Sequence, residues 1–410
     1  MRDRTHRWHC LGMAALALSL ARCEEGPPPE LDPFNNNPAD AATAAADETD
    51  AALAAAEDPP DPDDAPAPEP DEEAPPGGAA EALHFLFFGR LGNAIDDLTR
   101  ASAYLQATAA EPTIAQWLAR RCMGPDRTLQ APYLNTWWPA GVNEVPEIDF
   151  FNRADLRLGR GMFFATCGER IIALVNNYGV PGQPVHEAFL GFDQAPAAAA
   201  VGMDYDPSRG ADYAVQFYLY VRGEPDTALQ FDSERPKPLP MTCTMCHGGV
   251  YEEDTGLVRG ASFLPLMLES LDFQRFTPTE EERLRRANAL VRLTNPPPGV
   301  RIIIDAAYPD GVERIGATYQ RDRVPDSWAE APDEWRSLVR PYCAGCHAAL
   351  GDVRGFHIDD ATPFLTQRDR VRALTCGNPG SIPLMPQAEV TRRALDADPI
   401  ARNIACGPND

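Results

Sequence analysis

The stretch that decides the fold of this 410-residue chain is Tyr213-Ala-Val-Gln-Phe-Tyr-Leu-Tyr-Val221. Its β-branched and aromatic residues alternate with the two-residue period of a strand, so they predict a β-strand with two distinct faces. One face would hold Val215, Phe217, Leu219 and Val221. The other would hold Ala214, Gln216, Tyr218 and Tyr220. Further strands are predicted within 163–177 and 227–231, as parts of one small sheet.

Helical patterns surround this β-rich part of the chain. Helices are predicted at 82–88, 91–107, 113–122, 279–294, 333–342 and 361–374. Thr279 followed by Glu282 is a capping-box signature, and Pro341 is expected to kink or end its helix. The predicted fold class is therefore mainly α with a small β-sheet region, an α+β arrangement.

The first 23 residues are typical of an export signal. Three arginines precede the apolar run 11–20, which is too short to span a membrane. Cys23 follows in a sequence that resembles a bacterial lipobox, with Arg22 where a small residue is expected. Cleavage after Ala21 without lipidation is the alternative. The chain is predicted to be exported to the periplasm or cell envelope, with membrane contact only through a lipid on Cys23.

Residues 24–79 are predicted to be a disordered acidic linker rich in proline and alanine. Positions 24–78 carry 17 acidic and no basic side chains, and they account for most of the formal net charge of −25. This composition cannot bury enough apolar surface to offset the entropy lost on folding. The acidity also argues against a nucleic-acid partner, because phosphate binding requires clustered cations.

Two short motifs carry the chemistry of the chain. The pattern C-x-x-C-H, typical of c-type haem attachment, occurs in Cys243-Thr-Met-Cys246-His247 and in Cys343-Ala-Gly-Cys346-His347. Two thiols three positions apart can form thioethers with both vinyl groups of one haem, and the following histidine can bind the iron. The sequence therefore predicts two covalent haems, with His247 and His347 as the proximal ligands. The four cysteines could instead form a zinc site, or each pair could be a redox dithiol.

The second motif resembles the compact cytochrome c family over residues 331–410. The helix 333–342 leads into the motif, and Gly380-Ser-Ile-Pro-Leu-Met385-Pro-Gln387 resembles the loop that supplies the distal methionine in that family. The resemblance implies a C-terminal all-α cytochrome c-like domain in which His347 and Met385 are the axial ligands. His357 is the alternative ligand if Met385 only packs in a core.

The distal ligand of the first haem is left open by the sequence. The candidates are Met162, Met203, Met241, Met267, His84 and His186, and an open iron is an equal alternative. Residues 133–410 also resemble bacterial secreted proteins with paired cytochrome c motifs, through the segments 217–222, 243–249, 260–265 and 385–390. This resemblance implies a di-haem protein and says little about a substrate.

Four other cysteines lie outside the leader and the motifs. In an oxidising compartment we expect two disulfides, Cys122–Cys167 and Cys376–Cys406, with buried free thiols as the alternative.

The favoured function is electron transfer, because an iron held by histidine and methionine has no vacancy for a substrate. The domains would be a leader (1–23), a linker (24–79), an α+β domain with the first motif (80–330) and a cytochrome c-like domain with the second (331–410). The main alternative is a di-haem peroxidase or oxidase with one open iron. Its acid–base groups would then be sought among Glu252, Glu253 and Asp254, which are otherwise a solvated acidic loop. A binding protein with structural haem is a third possibility, and the sequence does not identify the redox partner.

Overall fold

A seven-stranded antiparallel sheet is the central feature of the structure. The computed structural model describes residues 98–121, 144–152, 158–178, 199–230, 236–350, 357–376 and 388–407. The strands are β1 (Glu144–Asn152), β2 (Gly159–Cys167), β3 (Arg170–Tyr178), β4 (Ala199–Tyr205), β5 (Val215–Val221), β6 (Glu224–Pro225), β7 (Ala228–Leu229), β8 (Lys237–Pro238), β9 (Val250–Glu252), β10 (Leu257–Arg259) and β11 (Leu271–Asp272). The order in the large sheet is β11-β1-β2-β3-β4-β5-β6, and β7–β8 and β9–β10 form two small hairpins.

Helices precede and follow the sheet in the sequence. They are α1 (Leu98–Ala107), α2 (Ile114–Arg120), α3 (Met241–His247), α4 (Pro278–Leu293), α5 (Pro298–Ala307), α6 (Pro332–Glu334), the π-helix Trp335–Cys343, α7 (Ala344–Leu350), α8 (Ala361–Thr366), α9 (Arg368–Thr375), α10 (Ala388–Asp396) and α11 (Pro399–Cys406). Short 3-10 turns occupy Pro207–Arg209, Ala211–Tyr213 and Asp326–Trp328. Across the described ranges, no helix has the length and apolar character needed to cross a membrane.

Most predicted helices are present with shifted ends. The capping box of α4 joins Thr277 and Glu280, two residues before the predicted pair. The helix predicted over 361–374 is two helices, α8 and α9, with Gln367 between them. The helix predicted at 82–88 lies outside the described residues.

The strand predicted within 163–177 is present, but as parts of two strands, because β2 and β3 form a hairpin. Cys167 pairs with Arg170 across a two-residue turn, in which Gly168 has a φ of +59°. Glycine adopts this left-handed conformation without the steric cost that other residues meet. Both strands are buried over most of their length, and the resulting apolar runs hide the turn from a pattern of alternation.

The two faces of the sheet are covered by different elements. On one face, Trp117 and Leu118 of α2 pack against Tyr218 and Tyr220 of β5. On the other, Phe217 and its neighbours belong to a much larger core that the later helices complete. The predicted division of residues 215–221 into two faces is confirmed for Val215, Phe217 and Leu219 on one side and for Tyr218 and Tyr220 on the other.

A buried ion cluster anchors α2 to its face of the sheet. Arg121 donates to Asp204 Oδ2 at 3.0 Å and to Glu111 Oε2 at 2.9 Å. Its guanidinium carbon lies 4.7 Å from the Trp117 ring centroid and 4.5 Å from that of Tyr218. Both carboxylates therefore have cationic partners, which a charge removed from water requires.

The predicted fold class, mainly α with a small sheet and a separate all-α C-terminal domain, is wrong. The described part is 45% helical and 22% strand, and one sheet contains seven of the strands. Leu338 of the π-helix and Leu395 of α10 belong to the same hydrophobic core as Phe217 of β5. The C-terminal helices therefore pack as part of a mixed α and β unit, which spans Pro75–Asp410.

Candidate haem-attachment site

The two C-x-x-C-H motifs lie on helices that pack against each other. Helix α3 carries Cys243, Cys246 and His247; Cys343 ends the π-helix; and Cys346 and His347 follow in α7. The Sγ atoms of Cys246 and Cys346 are 3.0 Å apart, although 100 residues separate them in the chain. The structure therefore brings the second cysteine of each motif to one point.

Two glycines permit this close approach. Gly248 directly follows His247 with a φ of +69°, and a Cβ atom there would lie 2.3 Å from the carbonyl oxygen of Ala349 in α7. A Cβ atom on Gly299 in α5 would lie 2.5 Å from the carbonyl oxygen of Ala348. Both distances are far below van der Waals contact, so a side chain at either position would displace α7.

Ser262 holds both the backbone and the side chain of His247. The Ser262 amide donates to the His247 carbonyl at 2.9 Å, and His247 Nδ1 lies 2.9 Å from the Ser262 carbonyl oxygen. Because a carbonyl can only accept, Nδ1 must carry the hydrogen. In a neutral ring this leaves the lone pair of Nε2 free to bind a metal.

The surroundings of His247 favour that neutral ring. Loss of solvation lowers the pKa of His247 to about 4, and the positive charge of Arg160 contributes in the same direction. The Phe217 ring packs on the imidazole, with 5.4 Å between ring centroids. At neutral pH His247 is therefore an uncharged imidazole of fixed orientation.

Strand β5 is fixed at Phe217 by a tyrosine from α1. Tyr104 Oη accepts from the Phe217 amide at 2.7 Å and donates to its carbonyl at 3.2 Å. Ser262, Phe217 and Tyr104 were not predicted as site residues. Ser262 and Phe217 do lie within 260–265 and 217–222, two of the segments on which the predicted resemblance rests, and the structure brings both segments to His247.

The four motif cysteines are partly buried, and none of them is in a disulfide. Loss of solvation raises the pKa of Cys243 to about 12, with the neighbouring Cys246 contributing, and it alone raises that of Cys343 to about 12. Cys243 and Cys343 are therefore protonated thiols, the form that adds across a vinyl group. Among the described residues no three His, Cys, Asp or Glu side chains converge to hold a metal ion.

The predicted distal ligands have different outcomes. Met385, His84 and His186 lie outside the described residues. Met267 packs at the second motif, because its methyl carbon lies 3.8 Å from a Cβ atom placed on Gly345. Met203 pairs across the sheet with Phe217, in the same core. The structure does not select a distal ligand among them.

The acidic residues after the first motif have ion-pair partners at the surface. Glu252 accepts hydrogen bonds from Tyr213 and Arg259, and Glu253 pairs with Arg100 at 2.6 Å. The hydrogen bonds from Tyr213 and Arg259 hold the pKa of Glu252 below its usual range, so it stays a carboxylate. Neither group is arranged as a proton donor to a substrate.

The remaining cysteines agree with an oxidising environment. Cys376 and Cys406 form a disulfide between the end of α9 and the end of α11, with 5.8 Å between their Cα atoms. Cys167 is also disulfide-bonded. Cys122, its predicted partner, lies outside the described residues.

Comparison with known proteins adds no assignment. No family model matches the chain, and no curated protein or solved structure matches it.

Proposed function

We propose that this chain is an exported di-haem c-type cytochrome that transfers electrons through two covalently attached haems. The observation that carries the proposal is the meeting of two C-x-x-C-H motifs, 100 residues apart, at a Cys246–Cys346 sulfur distance of 3.0 Å. Each bound haem would supply a one-electron iron couple.

The residues of the first motif suit both the covalent attachment of a haem and the binding of its iron. Cys243, a protonated thiol, and Cys246 would form the thioethers. His247 presents Nε2 as the proximal ligand, and Ser262 fixes that orientation through Nδ1. A proximal histidine whose second nitrogen is held by a backbone carbonyl is a common arrangement for metal-bound imidazole.

The second motif would hold the other haem through Cys343, Cys346 and His347, with Met385 as the distal ligand. Because Cys246 and Cys346 are neighbours, the two attachment points share one place in the fold. An electron could then pass between the haems inside the chain. The redox partner would be another protein, and Cys23 would provide a lipid anchor.

Counting haems in matched variants tests this function. Protein exported from cells that mature c-type cytochromes should carry two covalent haems by mass spectrometry. Cys243→Ser/Cys246→Ser and Cys343→Ser/Cys346→Ser should each carry one, and Cys376→Ser/Cys406→Ser should keep two. A haem-free wild-type chain would refute the proposal.

Electron paramagnetic resonance of the oxidised protein tests the electron-transfer role against the enzyme. Two low-spin signals without peroxide consumption are expected, because both irons would have two axial ligands. A high-spin signal together with peroxide consumption would instead identify a di-haem peroxidase.

A further inference from the structure

The contact between Cys246 and Cys346 has a chemistry of its own before any haem is attached. Neither cysteine is in a disulfide, and their sulfur atoms need to approach by only about 1 Å to reach disulfide length. Within the first motif, Cys243 and Cys246 lie three positions apart on α3. Redox-active C-x-x-C pairs at the start of a helix do form disulfides, so a bond within the first motif is the competing product. The 3.0 Å contact between Cys246 and Cys346 favours the bond across the motifs.

The packing around the two thiols keeps them together. Gly248 lies against the Ala349 carbonyl and Gly299 against the Ala348 carbonyl, so α7 is held from two sides. His247, the next residue after Cys246, is fixed through two hydrogen bonds to Ser262. Neither helix needs to move far for the bond to form.

We propose that Cys246 and Cys346 form a disulfide across the two motifs in the haem-free chain, and that this bond must be reduced before either motif is completed. The inference rests on the proposed function. One bond would remove one thiol from each motif, so a single two-electron reduction would prepare both motifs together.

The steps balance with a disulfide compound as the oxidant. One cysteine, as thiolate, attacks a sulfur of the oxidant and expels one thiolate, which leaves a mixed disulfide. The second cysteine attacks that bond and releases the other half as a thiol. Two electrons and two protons pass to the oxidant, and a dithiol reverses the reaction. Each freed thiol then adds its S–H across a haem vinyl group, which forms one C–S bond and one C–H bond without a further oxidant.

The chain itself indicates that it meets such an oxidant. Cys376–Cys406 is a disulfide and Cys167 is disulfide-bonded, and bonds of this kind form in oxidising compartments. A thiol pair already in contact would react under the same conditions. The supply of a reductant would then determine when haem is attached.

Peptide mapping of the haem-free full-length chain tests the bond. The chain is purified from cells without cytochrome c maturation, treated with oxidised glutathione, alkylated and digested with trypsin, which leaves the motifs on the peptides 223–259 and 337–354. We expect these peptides to be cross-linked in the wild type and in Cys243→Ser/Cys343→Ser. The matched variant Cys246→Ser/Cys346→Ser should give no cross-link. Disulfides confined to single peptides, or a cross-link that needs Cys243 and Cys343, would overturn the inference.

Haem addition separates this inference from the proposed function. Ferrous haem is added to oxidised wild-type chain with and without dithiothreitol, and covalent haem is measured by mass. We expect loss of attachment in the oxidised chain and its recovery on reduction. Equal attachment in both samples overturns the inference and leaves the function standing. No attachment in the reduced sample, together with haem-free protein from cells with the maturation system, overturns the function.

Discussion

At the edge of β5, the hydroxyl group of Tyr104 makes the hydrogen bonds that a neighbouring strand would otherwise make. Within the described part of the chain, Phe217 has no strand partner on the side away from β4, and Tyr104 Oη forms hydrogen bonds with both its amide and its carbonyl. Burial of a backbone group without a partner is costly. Tyr104 therefore stabilises the strand at the residue whose ring packs on His247.

Tyr104→Phe is expected to lower the free energy of unfolding by about 1–3 kcal/mol, because two backbone groups of Phe217 lose their partner. Tyr220→Phe is the matched control. It removes one hydrogen bond, to the Glu111 carbonyl at 3.2 Å on the opposite face, and should cost about 1 kcal/mol. Denaturant titration measures both. Equal losses of unfolding free energy in the two variants would show that the two hydrogen bonds from Tyr104 to Phe217 stabilise the fold no more than a single one does.

Gly248→Ala should lower the free energy of unfolding by at least about 2 kcal/mol, because it adds left-handed strain to a clash with Ala349. Gly260→Ala is the control, since Gly260 has a φ of +77° and its nearest neighbour would lie 4.0 Å away. That variant should lose about 1–2 kcal/mol from strain alone. Thermal denaturation of the pair gives the difference, and a smaller loss for Gly248→Ala would contradict the close contact of α3 and α7.

At the scale of elements, the segment before the second motif differs most from its prediction. The sequence predicts an α-helix at 333–342 that Pro341 kinks or ends, whereas Trp335–Cys343 is a π-helix that includes Pro341. Proline cannot donate a helical hydrogen bond, and its ring clashes with the carbonyl four residues earlier in an α-helix. The wider π turn accommodates it, and such turns are frequent at functional sites.

Arg340 anchors this π-helix from inside the core. It donates to the carbonyls of Arg321 at 2.6 Å and Gln320 at 3.2 Å, and it pairs with Glu269 at 3.2 Å. Its guanidinium also lies over the Tyr319 ring. No shorter or less branched cation can meet all of these partners.

Arg340→Lys should therefore cost about 2–3 kcal/mol of unfolding free energy, because buried carbonyls lose their donors. Arg336→Lys, on the same helix but half-exposed, should change it by less than about 0.5 kcal/mol. Chemical denaturation followed by circular dichroism distinguishes them. A similar cost at both positions would mean that the network around Arg340 does not hold the helix.

Local sequence patterns predicted the residues of the site but not the contacts between them. The motif cysteines and histidines could be recognised from spacing, and residues 215–221 from alternation. The contact between Cys246 and Cys346 could not, because it depends on packing across 100 residues. The hairpin turn at Gly168 was missed for a related reason, since residues buried on both faces give no alternation.

At the scale of the whole molecule, one hydrophobic core extends from the sheet to the helices after residue 330. The C-terminal helices have the apolar faces that the sequence indicated, but those faces join the core of the sheet. Trp328 and Trp335, with 5.1 Å between ring centroids, lie in the same cluster as Phe217. Periodicity shows that a face is apolar and does not show which surface will cover it.

We therefore expect the haem-free chain to unfold in one thermal transition, with its disulfides intact. Calorimetry should give a calorimetric enthalpy close to the van't Hoff value, as a cooperative unit requires. Disulfide reduction should lower the midpoint without splitting the transition. Two resolved transitions would instead indicate two domains that unfold separately, with a boundary near residue 330.

The edge strands of the sheet affect whether copies of the protein aggregate by strand pairing. One end is the two-residue strand β11, and the other is β6, where Pro225 has no amide hydrogen to offer. Along β5, Asp226 bonds the Leu219 carbonyl and Tyr104 bonds Phe217, so little of that edge is left for another chain. Exposed edge strands are templates for aggregation, and short or covered ones prevent it. Many such chains held at high local concentration could thus remain separate molecules.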